Sequence, residues 1–88
     1  MSGRLRIIME ASSTAGGDRR GIKDVTVIRY NEYGSGLDYE ATWAGPYQPT
    51  KWTAMTSCDS KNKERTDVIV TSNSGKTETF RIAARTGC

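Results

Sequence analysis

Residues 37–43 read LDYEATW, with Leu37, Tyr39, Ala41 and Trp43 at one parity and Asp38, Glu40 and Thr42 at the other. Unbroken alternation of this kind marks a strand with one face buried and the other in water. The same period runs through RLRIIMEA, where Leu5, Ile7, Met9 and Ala11 oppose Arg4, Arg6 and Glu10. KWTAMTSC places Trp52, Ala54, Thr56 and Cys58 on one side. In IKDVTVIRY, Val25 and Val27 share a face while Ile28 and Tyr30 take the other, which predicts a central strand covered on both sides, or a bulge. DVIVTS and TETFRIAARTGC flank the turn sequence NSGK and predict a hairpin. In its second strand Phe80, Ile82, Ala84, Thr86 and Cys88 share the parity assigned to the core.

No window carries a helical period. Between the strands, SSTAGGDRRG reads as a polar, glycine-rich loop and NEYGSG as a turn. AGPYQP, between Trp43 and Trp52, holds both prolines of the chain. Proline cannot donate to a strand ladder and favours extended geometry in the residue before it. This segment is therefore expected to be a stiff crossover from one sheet to the other. The predicted architecture is all-β: a small antiparallel β-sandwich or barrel of six strands, with residues 1–88 forming one domain.

Composition strengthens the strand assignment. Six isoleucines, four valines and eleven threonines stand against only Leu5 and Leu37 as leucines, and β-branched side chains favour a pleated surface over a helix. No apolar run approaches the length of a membrane-crossing helix. A chain of 88 residues also buries a modest share of its surface, so a covalent staple would matter. The cysteines, Cys58 and Cys88, fit neither a zinc pattern nor a CxxC redox pattern. Both lie at core-facing parity, and the expectation is one disulfide between them, contributing about 3–4 kcal/mol. That bridge implies an oxidising location, secreted or periplasmic.

Charge and chemistry narrow the function classes. Histidine is absent, which excludes Ser-His and Cys-His nucleophile pairs. Gly75-Lys76-Thr77 mimics the end of a phosphate-binding loop, but the required upstream glycine is Val70. Asp38 and Glu40 are a carboxylate pair on the water-facing side of an amphipathic strand and read as an ordinary solvated surface. Neither a catalytic residue, a metal site nor a cofactor is indicated, and the chain reads as a non-enzyme.

What remains is binding. Tyr47, between Pro46 and Pro49 with Lys51 nearby, is an aromatic on a stiffened loop, which lowers the ordering entropy lost on association. Trp43 and Trp52 flank it and read either as core plugs or as contact residues. The net charge of +3 includes Arg4 and Arg6 on the first strand and Arg81 and Arg85 on the last. If those strands were neighbours, the four would form a basic strip. The leading expectation is a non-catalytic binding protein, a small secreted or periplasmic inhibitor or effector that occupies a protein surface through Trp43, Tyr47, Lys51, Trp52, Arg81 and Arg85. A basic nucleic-acid-binding β-barrel is the second reading. The third, a carbohydrate-binding module, needs Trp43 or Trp52 as an open platform.

Overall fold

The computed structural model describes residues 2–30, 33–59 and 64–85, with side chains described except at 2–3, 57–59, 64 and 83–85. Seven strands occur among the described residues: β1 (Ser2–Glu10), β2 (Ile22–Tyr30), β3 (Gly36–Glu40), β4 (Thr42–Trp43), β5 (Lys51–Asp59), β6 (Glu64–Ser72) and β7 (Thr77–Arg85). They form two antiparallel sheets, ordered β1-β5-β4 and β3-β2-β6-β7. The sheets share a core but do not close into a barrel. No described residue lies in an α-helix, and none of the structure is a helix long and apolar enough to cross a membrane.

The core follows the period-2 pattern. Val25 and Val27 from β2, Trp52 and Ala54 from β5, and Val68 from β6 are buried, with Ile22 closing one end. Ile7 and Met9 of β1 pack on them from the three-stranded sheet, and Tyr39, Ala41 and Trp43 complete the rim. β2 is an interior strand, flanked by β3 and β6, and its register with β6 shifts between Ile22 and Asp24. The bulge brings Ile22 onto the buried side with Val25 and Val27, whereas Ile28 and Tyr30 keep the opposite parity and are half-buried on the outer face.

Two expectations are corrected. The alternating run 37–43 is not one strand: β3 belongs to the four-stranded sheet and β4 to the three-stranded sheet. The chain changes layers at Ala41, whose N–H donates to the Val25 carbonyl at 2.9 Å. Alternation survives the step because the inner faces of the two layers look at each other. This division raises the expected six strands to seven. The second correction follows directly. The segment 44–50 does not carry the chain between sheets, because β4 and β5 pair with each other and Trp43 lies opposite Trp52. It is a hairpin loop.

The expected hairpin of β6 and β7 is present, closed by a bond from the Ser72 N–H to the Lys76 carbonyl at 2.8 Å. Its second strand departs from the pattern in burial. Phe80 and Ile82 lie opposite Val68 and Thr66, on the inner face, yet are 52% and 38% exposed. Leu37, at the start of edge strand β3, is likewise 63% exposed. The expected Cys58–Cys88 bridge lies outside the described residues.

Candidate functional site

Three loops meet at one end of the molecule. The first is 11–21, which joins β1 to β2. The Ala11 N–H donates to Thr50, tying it to the β4–β5 loop, and the Asn73 N–H donates to Gly21, tying it to the β6–β7 turn. The Asn73 side-chain amide reaches in as well, donating to the carbonyls of Gly16 at 2.8 Å and Asp18 at 3.1 Å. Such a composition suggests a mobile loop, whereas the structure pins it at both flanks. The single residue that does most of this, Asn73, lies in a turn and carries no periodic signal in the sequence.

Within that loop Arg19 and Arg20 are the two non-glycine residues with left-handed backbone, at φ 57° and 52°. Each such conformation costs on the order of 1–2 kcal/mol for a residue with a Cβ, so the surroundings must impose it. Arg19 is held further by a bond from its Nη1 to the Lys23 carbonyl at 2.9 Å, and its guanidinium lies 5.8 Å from the Trp52 ring centroid. It caps the core where the indole ends.

The β4–β5 loop explains why both prolines of the chain are where they are. The Gln48 N–H donates to the Gly45 carbonyl at 3.1 Å and the Lys51 N–H to the Gln48 carbonyl at 3.0 Å. These are two successive β-turns, Gly45–Gln48 and Gln48–Lys51, with Pro46 and Pro49 each at the second position, where a fixed φ near −65° is preferred. Neither Tyr47 nor Thr50 has positive φ, as type I geometry requires. The loop is sealed from beneath by Trp43, whose Nε1 donates to the Pro49 carbonyl at 2.8 Å, and at its base by the Ala44 N–H donating to Lys51. Tyr47 stands at the third position of the first turn and is 98% exposed.

The structure brings some of the sequence-derived site residues together and separates others. Tyr47 and Lys51 share this loop, with Lys51 opposite Glu10 of β1, and Trp43 braces it from below. Trp52 offers no contact surface: it is 2% exposed and belongs to the core, because it points inward from the central strand of its sheet. Arg81 is committed elsewhere, its Nε donating to the Asp67 carboxylate at 3.2 Å on the outer face of the four-stranded sheet. Asp67 is 5% exposed, so this partner stabilises a carboxylate held out of water. The backbone of Arg85 ends β7, but its side chain is not among those described. The basic strip does not form, since β1 and β7 are edges of different sheets.

Other polar features are structural. Glu40 accepts a bond from Thr26 Oγ1 at 3.1 Å, and Arg65 stacks over Tyr30 with its guanidinium 4.1 Å from the ring centroid. Among the described residues, no group of three or more Cys, Asp or Glu side chains is arranged to hold a metal ion. Arg29 was overlooked in the sequence although the signal was there. It continues the Val25, Val27 parity inward, and it is 6% exposed. Comparison of the chain with protein-family models, with curated proteins and with solved structures gives no match.

Proposed function

We propose that this is a non-catalytic binding domain that acts by presenting the Tyr47 loop to a surface of another protein. The observation that carries the reading is a fully exposed aromatic on a loop that is already rigid. Tyr47 is 98% exposed, yet its loop is held by two proline-initiated turns and by the Trp43–Pro49 clasp. Leaving a large ring in water has no folding benefit, and fixing its backbone in advance removes part of the entropy lost on association. Tyrosine in such a setting is a preferred anchor at protein interfaces. Lys51 adds a cation at the base of the same loop. The carbohydrate reading is not carried forward, because Trp52 is buried and Trp43 is half-buried with its indole N–H already engaged.

The test is a photo-crosslinking residue at position 47, followed by identification of the captured protein and measurement of its affinity. Tyr47→Ala is expected to weaken that affinity about 30-fold, or ~2 kcal/mol, and to leave folding stability within about 0.5 kcal/mol. Tyr33→Ala is the control, since Tyr33 is 84% exposed in a turn beside Gly34. It should leave the affinity unchanged. Equal losses of affinity in both variants, or a large loss of stability in Tyr47→Ala, would refute the role assigned to the loop.

Secreted or periplasmic action as an inhibitor or effector is part of the same proposal and rests on Cys58 and Cys88 being joined. Thiol titration of the unfolded, unreduced protein is expected to find no reactive sulfur. Two reactive thiols would remove the oxidising compartment and leave the binding role standing on the loop alone.

A further inference from the structure

The two layers are unequal, and the difference is localised. The three-stranded sheet ends at β1, while beneath it the four-stranded sheet runs on to β7. The inner face of β7 is therefore roofless: Phe80 and Ile82 face inward but are 52% and 38% exposed. Two cavities lie between the β1 edge and this overhang. One, of about 230 Å³, is lined by Leu5, Arg6, Ile7, Arg29 and Ile82 among others. The other, of about 540 Å³, is lined by Met9, Glu10, Val68, Glu78, Phe80 and Ile82 among others. Ile82 lines both, so they form one groove that follows the length of β1.

Three properties of the groove define its occupant. Its wall is a strand edge: β1 is nine residues long and pairs only with β5 among the described strands. Every second backbone N–H and C=O of β1 accordingly faces the groove, ready to bond another strand. Its floor offers apolar side chains at Val68, Phe80 and Ile82, against which alternate side chains of such a strand would pack. The ends are oppositely charged. Arg6 and Arg29 line one end, Glu10 and Glu78 the other. Charges placed only to discourage edge pairing need no such polarity.

We infer that this groove binds one extended segment of a partner protein, which adds to the β1 edge as an antiparallel strand and covers Phe80 and Ile82. Antiparallel addition continues the pattern of the sheet. Because β1 runs from its arginine end to Glu10, an antiparallel segment places its C-terminal end beside Arg6. The recognised chemistry is thus a run of alternating apolar residues, basic at its N-terminal end and acidic at its C-terminal end. A single strand fits where a second whole copy does not. Antiparallel pairing of two β1 edges would set both four-stranded sheets on the same side, with the β7 overhang of each copy directed at the other. Tyr47 itself is not among the residues that line the groove, although its loop meets the end of β1, where Lys51 lies opposite Glu10.

The probe is a labelled nine-residue peptide alternating valine and threonine, with lysine at the N-terminus and glutamate at the C-terminus, followed by fluorescence anisotropy. It is expected to bind at least tenfold more tightly than the same peptide with its two end residues exchanged. Phe80→Lys and Ile82→Lys, at exposed positions where melting temperature should hold, are each expected to weaken binding at least tenfold. Tyr47→Ala should leave peptide binding unchanged, which separates this surface from the loop. Equal affinity for the two peptides, or no binding of either, overturns the inference. Concentration-dependent dimers that Phe80→Lys dissolves would place a second copy in the groove and overturn it equally.

Discussion

Replacing Trp52 with alanine is expected to cost about 3–5 kcal/mol, a large share of the stability of the domain. At roughly 0.05–0.15 kcal/mol per residue, a chain of this length holds only about 4–13 kcal/mol. The reason lies in position as much as in size. Trp52 is 2% exposed, sits on the strand that joins both neighbours of the three-stranded sheet, and faces Met9 on one side and Trp43 on the other. Truncation opens a cavity at the meeting point of three strands, and the Arg19 guanidinium loses the ring it covers. Phenylalanine at the same position is a sharper test. The indole Nε1 is buried with no hydrogen-bond partner, so its removal relieves a desolvation penalty of about 1–3 kcal/mol that offsets the lost ring area. Trp52→Phe is therefore expected to lie within about 1 kcal/mol of the parent. Denaturant midpoints at constant m-value measure both. A Trp52→Phe variant as damaged as Trp52→Ala would show that the indole nitrogen is satisfied after all.

Gly21→Ala is expected to be the next most damaging single change, at about 2–4 kcal/mol. Gly21 has φ +87°, where a Cβ is strained, and the added atom would sit 2.5 Å from the Ser13 carbonyl oxygen. That oxygen is main chain and cannot swing away as a side chain would. Moving it disturbs the bond from the Ser13 N–H to the Arg20 carbonyl, and the Gly21 carbonyl itself accepts from Asn73. Gly45→Ala separates the two contributions. Its φ is +104°, yet nothing lies within 4 Å of a Cβ built there, so only backbone strain remains, about 1 kcal/mol. Thermal melts of the two variants should differ by the steric part. Equal melting temperatures would mean that the 11–21 loop yields freely and does not hold Arg19 and Arg20 in their left-handed conformations.

Much of the fold is legible because period 2 is a local signal with a global meaning. Val25, Val27, Trp52, Ala54 and Val68 are buried where alternation puts them. Alternation cannot say which sheet a strand joins, since facing layers require the same parity. That is why 37–43 reads as one strand, although it is split at Ala41. Nor can it say where a sheet ends, so Phe80 and Ile82 read as core and are found on an overhang. Proline fixes its own φ wherever it stands, but whether the segment crosses between sheets depends on pairing partners far along the chain. Two successive turns can return a strand to its own sheet as readily as an extended link can carry it away. Tyr47 could be singled out because an aromatic between two prolines has no part in any strand. Trp52 could not be excluded from the surface by its neighbours alone, and Arg81 is explained only by Asp67 across the ladder.

The change of layer at Ala41 bears on how this domain comes apart. One continuous piece of backbone, 36–43, is hydrogen-bonded to β2 on one side of the step and to β5 on the other. The layers cannot slide or peel independently, for either motion must first strip pairs from a strand that the other layer is also holding. Opening of one sheet is thereby made an event for both, and a domain with so small a core gains all-or-none cooperativity from its connectivity.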